Sequence, residues 1–169
     1  MKIIITSLSL KHFGNMTIKF YTSAEPYGYL NNFKKSPMFV YGRWWKNVEA
    51  AYQAQKTIIP EEYDKIWLAK HPREARNLGQ VVHIRKDWDE IKIPVMYECV
   101  LAKFVQNKEF RTKLFSTGDE EIAEDSPIDS FWGLGPNGDG QNNLGKILMK
   151  VRSLLRTNEY FELFNITGL

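Results

Sequence analysis

The segment Asn47-Val-Glu-Ala-Ala-Tyr-Gln-Ala-Gln-Lys56 places an acid, an amide and a cation at helical spacing. Glu49, Gln53 and Lys56 stand at i, i+4 and i+7, so a helix turns all three to one face. Ala50, Ala51 and Ala54 would let such a helix approach a neighbour closely. The stripe can line a pocket; on spacing alone, a solvated polar face fits it as well. Behind an N-cap at Asn47, Glu49 falls in the first turn, where free N–H groups favour an ionised carboxylate. That setting suits a base, or a stabiliser of developing positive charge, better than a proton donor.

A second candidate runs from Glu124 to Gly145 and is dense in glycine, amides, acids and aromatic rings. Gly133, Gly135 and Gly138 match a GxGxxG spacing. No βαβ pattern surrounds the match, however, and no acidic residue closes a following strand at the distance a dinucleotide-binding fold requires. A glycine-rich loop feeding a helix N-terminus can instead cradle a phosphate or a sugar with backbone N–H groups. A plain long turn has the same composition. In the third candidate, Val82-His-Ile-Arg-Lys-Asp-Trp88, the cations Arg85 and Lys86 can bind an anion and Trp88 can stack a base. The same residues can equally cap and pack the start of a helix.

Other chemistries find less support. His12, His71 and His83 lack ligand spacing, and the single Cys99 provides neither a disulfide nor a thiolate zinc site, so no metal and no cofactor is expected. Cys99 falls on an apolar helical face, the setting of an inert core thiol. A net charge of +3 without a dense Lys/Arg block is compatible with an anionic substrate and too weak to argue for nucleic-acid binding.

The elements that must position these residues follow from pattern and composition. With 169 residues, 43% hydrophobic and 25% charged, the chain can bury a core without disulfides. Aromatic residues reach 14%, and several sit beside Gly, Asn and Asp in turn-like stretches where a core role explains them less well. Residues 17–22 alternate as a strand, and residues 37–45 read as a hairpin turning near Gly42. Helices are expected behind Asn47, ending before Pro60, from about Glu61, and behind Pro72, where Gly79 closes the helix with a positive φ. Further helices are expected over 94–107, over 110–115 up to Thr117-Gly118, and over 144–155 with Ile147, Leu148, Val151, Leu154 and Leu155 as its apolar face. The fold class is α+β, mainly α-helical: a compact single domain of packed helices with a small antiparallel β-sheet, spanning 17–164. Residues 1–16 read as an N-terminal extension. Their first ten residues are apolar behind Lys2 but carry Thr6, Ser7 and Ser9 and no small-x-small cleavage site, so a cytoplasmic location is expected. No apolar run is long enough to span a bilayer.

Several of these pieces, taken in order, resemble the NADAR (YbiA-like) family of N-glycosidases. They are Asn32-Phe33, Val48-Glu49-Ala50 leading to Gln55-Lys56, Arg85-Lys-Asp-Trp88, Lys103-Phe104, Thr117-Gly-Asp119, Asp129-Ser-Phe-Trp-Gly133, Gly140-Gln-Asn-Asn-Leu-Gly145, Leu148-Met149 and Arg152. The resemblance implies hydrolysis of a ribosyl C–N bond, on a phosphoribosylamino-pyrimidine of the riboflavin pathway or on ADP-ribosylated guanine. The partner is then a small molecule, no membrane is involved, and nucleic acid enters only as an ADP-ribosylated substrate. Glu49 and Asp129 match the family's acidic positions and become the catalytic candidates. Asn32, Phe33, Lys56, Trp88, Trp132, Gly133 and Asn142 become the substrate-binding candidates. Lys146 stands where members often carry arginine, a milder change at a point contact than at a bidentate one.

Two carboxylates suit that reaction. Breaking a ribosyl C–N bond builds oxocarbenium character, deprotonates a water and calls for a proton on the leaving nitrogen. Glu49 is favoured as base or stabiliser. Asp129, among Ile128, Phe131 and Trp132, is favoured as an acid or sugar ligand through desolvation, with the reverse assignment open. Trp132, with Trp88 or Tyr21, can stack the leaving base. A non-catalytic module binding ADP-ribose or a nucleotide is the alternative; it keeps the aromatic and glycine features and needs no acid pair.

Overall fold

The computed structural model describes residues 16–24 and 26–157, so the N-terminal extension other than Met16 lies outside the described residues. Six helices carry the fold: α1 (Val48–Ala54), α2 (Pro60–Leu68), α3 (Pro72–Gly79), α4 (Trp88–Gln106), α5 (Lys108–Ser116) and α6 (Asn143–Arg156). They pack around two small sheets. Strand β1 (Ile18–Phe20) pairs with β4 (Ile122–Glu124), and β2 (Met38–Val40) pairs with β3 (Arg43–Trp45).

The centre of the molecule is α1. All seven of its residues are buried, and it packs against α2, α3 and α4. Ala50, Ala51 and Ala54 make this possible, since their short side chains let three helices approach one axis. Asn47 caps it as expected, its side-chain oxygen accepting the Ala50 N–H at 2.9 Å. α3 lies close because Gly79 has no side chain: a Cβ there would stand 2.9 Å from Gln53 Cβ and Cδ and closer still to Oε1. Gly79 does not adopt the positive φ expected of it. Close packing, rather than a left-handed turn, is what requires glycine at this position.

The hairpin turns through Tyr41 and Gly42, both at positive φ (54° and 76°), the pattern of a type I′ turn. Pro60 and Pro72 open α2 and α3, and Gly118 (φ 57°) ends the turn after α5. α4 begins at Trp88, six positions earlier than the apolar period suggests, and carries Pro94 inside it. Pro94 is exposed, so the Glu90 carbonyl it leaves unpaired can be hydrated; packing of the buried Trp88 on Tyr52 holds the preceding turn. On α6, Ile147, Leu148, Val151 and Leu155 are buried and Leu154 is half-buried.

The antiparallel hairpin is as expected, but it is not the whole of the sheet structure. β1 and β4 form a parallel pair, with Ile18 opposite Ile122 and Phe20 opposite Glu124. β4 is three residues inside the acidic run 119–125, too short for period 2 to register. Asn142 supports it from the other side. Its amide N–H donates to Ile122 O (2.9 Å), and its Oδ1 accepts the Glu124 N–H (3.1 Å). No helix of the described residues is long and apolar enough to cross a membrane.

Candidate active site

The polar stripe of α1 is not solvated. Glu49 and Gln53 are 7% and 6% exposed, and with Lys56 they form one wall of a cleft of about 890 Å³. α3 faces them with a stripe of its own, Arg73, Arg76, Asn77 and Gln80, which stand at i, i+3, i+4 and i+7. The chain before α1 supplies Asn32 and Phe33. The end of β4 and the loop after it supply Glu124, Asp129, Phe131 and Trp132. The cleft thus combines three carboxyl groups, a basic side and an aromatic wall.

Each carboxyl is held differently. Glu49 Oε1 accepts the Gln53 amide at 2.9 Å, and the Glu49 backbone N–H donates to Asn32 O. Burial raises the Glu49 carboxyl above its ordinary value, opposed by the Gln53 hydrogen bond and by the charges of Arg76 and Lys56. Desolvation therefore overrides the helix-start effect expected from sequence and favours the protonated form. Asp129 Oδ1 accepts two backbone N–H groups, from Phe131 (2.9 Å) and Trp132 (2.8 Å), in a tight turn that fixes the side chain. Ile128, expected to help desolvate Asp129, is 73% exposed. Glu124 is pushed up to about 7, first by burial and then by the negative charges of Asp129 and Glu49, with Arg76 opposing.

On the basic side, burial lowers Lys56, with Glu49 acting to raise it and Arg76 to lower it further. Lys56 Nζ donates to Gly79 O at 3.4 Å. Tyr52 anchors the aromatic wall. Its ring lies 5.1 Å from Trp88 and 5.6 Å, edge to face, from Trp132, which meets Phe131 at 4.9 Å. Two buried amide oxygens at the floor, Asn32 Oδ1 and Gln53 Oε1, have no hydrogen-bond partner among the described residues. Both atoms are closed off from solvent, Gln53 Oε1 against Gly79.

Comparison with known proteins agrees with the resemblance. The profile described as the NADAR domain matches residues 19–156. The chain belongs to the NADAR family. An N-glycosidase from Nostoc punctiforme is 42% identical over 159 residues, covering 91% of this chain and 99% of that protein. N-glycosidase YbiA from Escherichia coli is 34% identical over 140 residues, covering 82% of this chain and 88% of that protein. A riboflavin biosynthesis protein from Vibrio vulnificus is 38% identical over 148 residues, 86% of this chain and 40% of the longer partner. The NMR structure of E. coli YbiA superposes with a TM-score of 0.77 at 34% identity, covering 83% of this chain and 85% of that one. These relatives bear out the expected enzyme class, a hydrolase acting on N-glycosyl compounds, and the mainly helical α+β fold.

Within this NADAR chain, the cleft brings together Glu49, Asp129, Asn32, Phe33, Lys56, Trp88 and Trp132. Gly133 and Asn142 stand outside its lining. Gly133 is needed because a Cβ would meet Glu124 O at 2.6 Å, and both polar ends of Asn142 are engaged by β4. The N–H groups that lead into α6 are not free for a phosphate. Gly140, Gln141, Asn142, Asn143 and Leu144 donate to Leu134, Ser130, Gly133, Phe131 and Trp132 carbonyls, which closes the loop on itself. Arg85 and Lys86 are also absent from the lining; Arg85 pairs with Asp87 at 2.6 Å. Cys99 is fully buried and its thiol is raised by burial, as an inert core thiol should be. Sequence reasoning missed the α3 stripe, whose spacing carried the same signal as that of α1. It also gave no role to Glu124.

Proposed function

We propose that this NADAR chain hydrolyses the C–N bond of a phosphoribosylamino-pyrimidine, an intermediate of the kind met in riboflavin biosynthesis. The observation that carries this reading is the single cleft in which a buried acid and a turn-held carboxylate meet a basic side and an aromatic wall. The phosphate suits Lys56, Arg73 and Arg76, and the base suits Trp132 with Trp88. The relative named for riboflavin biosynthesis supports this substrate class.

Burial reverses the roles favoured from sequence. Protonated Glu49 transfers its proton to the leaving nitrogen as the C1′–N bond breaks. Asp129, fixed by two backbone donors, stabilises the oxocarbenium ion and takes a proton from the water whose oxygen bonds to C1′. Ribose 5-phosphate and the free amino-pyrimidine leave, and the proton on Asp129 returns to Glu49 through solvent.

The test incubates purified protein with a phosphoribosylamino-pyrimidine and, in parallel, with ADP-ribosylated guanine, reading released base by mass spectrometry. Release from the first alone is expected. Release from the second alone transfers the assignment to ADP-ribose, and tight binding of either without release identifies a non-catalytic module.

A further inference from the structure

Three carboxyl groups share the cleft, and only two have protein donors. Glu49 accepts from Gln53, and Asp129 accepts from two backbone N–H groups. No hydrogen bond or ion pair reaches the Glu124 side chain among the described residues. Its backbone is nonetheless firmly placed: the N–H is held by Asn142, the carbonyl accepts Leu134 N–H at 2.8 Å, and the residue pairs with Phe20 on β1. A carboxyl fixed in a cleft beside other acids, with no protein donor of its own, is open to a ligand and resists ionisation.

We propose that Glu124 contacts the bound ligand directly, offering it the O–H of a neutral carboxyl. The groups facing it are Asp129 from the loop that follows, Glu49 from α1 and Arg76 from α3. The charge of Asp129 disfavours a further negative charge beside it; Arg76 opposes this but is shared with Glu49. The raised Glu124 carboxyl, at about 7, agrees with this arrangement. The consequence for turnover rests on the proposed N-glycosidase reading; the protonation state itself does not.

The experiment therefore has one arm that needs no substrate. In the ¹³C-labelled full chain, the Glu124 carboxyl carbon is assigned through its own side-chain protons and followed by NMR from pH 4 to 9. A midpoint near 7 is expected; a midpoint in the ordinary carboxylate range near 4 overturns the proposal. The second arm compares pH profiles of kcat/KM for the wild-type chain and Glu124→Gln, whose amide keeps a donor and cannot ionise. The wild-type decline through pH 7, about tenfold per pH unit, should be lost in the variant. A profile unmoved by the substitution, or a uniform collapse at every pH in a folded variant, overturns the proposal; the collapse would make Glu124 a proton donor. A midpoint near 7 in a protein that releases no base leaves the protonation state standing and removes the N-glycosidase reading.

Discussion

Replacing Gly79 by alanine adds one methyl group at a residue outside the cleft lining, yet it should impair catalysis. The new Cβ would lie 2.9 Å from Gln53 Cβ and Cδ and inside contact with Oε1. The amide tip can rotate away, but the Gln53 Cβ is fixed on a fully buried helix. α1 and α3 must then separate by a few tenths of an ångström. Overpacking of this kind costs about 1–3 kcal/mol. Removing glycine's conformational freedom returns about 0.4–1 kcal/mol, so a net loss of about 1–2 kcal/mol is expected. For a chain of this size that lowers the melting temperature by roughly 2–8 °C. The displaced amide is also the one that holds Glu49 Oε1 at 2.9 Å, so kcat should fall along with stability. Thermal melts and steady-state kinetics on Gly79→Ala, Gln53→Ala and the double variant resolve the two effects. The double variant loses the amide clash but keeps the Cβ contact, so it should recover stability only in part and should not recover turnover. A Gly79→Ala protein as stable as wild type and within twofold of its kcat would refute the close-packing argument.

Glu49→Gln and Asp129→Asn should both remain folded and each lose about 10²–10⁴-fold in kcat, with the double variant losing less than the product; turnover within a few-fold of wild type would end the two-carboxylate mechanism. Trp132→Ala should weaken substrate binding by about 1–3 kcal/mol by titration, and an unfolded variant would assign the ring to packing instead. Activity should survive prolonged EDTA treatment, because water activation is assigned to Asp129; loss that zinc or magnesium restores would count against it. Glu124→Gln should stabilise the fold at pH 8 and have little effect at pH 4. The folded-state value of about 7 lies above 4.5, so the burden on the native state is absent below 4.5 and complete above 7. At about 1.4 kcal/mol per pH unit it is at most about 3 kcal/mol, measurable by urea titration at the two pH values.

Periodicity and caps made much of this molecule legible. Asn47 capping α1, the Tyr41-Gly42 turn and the prolines opening α2 and α3 are local choices that each short segment makes by itself. The order of the motifs was also sufficient to bring Glu49 and Asp129 forward as a pair. What stayed hidden depends on distant neighbours. Three residues of β4 have no periodicity, and only β1 and Asn142 make them a strand. Gly79 could be read as a turn glycine because the Gln53 side chain it meets lies on another helix. Glu49 at a helix start suggests an ionised carboxylate, while its burial by the surrounding chain argues the opposite. Asn142 is a substrate-binding candidate by family resemblance, and its side chain is held by a strand that the sequence did not disclose.

The parallel pairing of β1 with β4 has a consequence for how the molecule is assembled. Ile18 and Ile122 are 104 positions apart (122 − 18), so their contact closes a loop containing most of the residues that line the cleft. Helices between them can form from local contacts, but Glu124 acquires its place only when both strands meet, and long-range closure of this kind comes late in folding. During synthesis at about 5–20 residues per second, β1 waits roughly 5–20 s for its partner to be made. The site would then be among the last regions to mature on the ribosome. In the finished protein, separation of two three-residue strands would unfasten one acid of the cleft while α1 and its Glu49 stay packed.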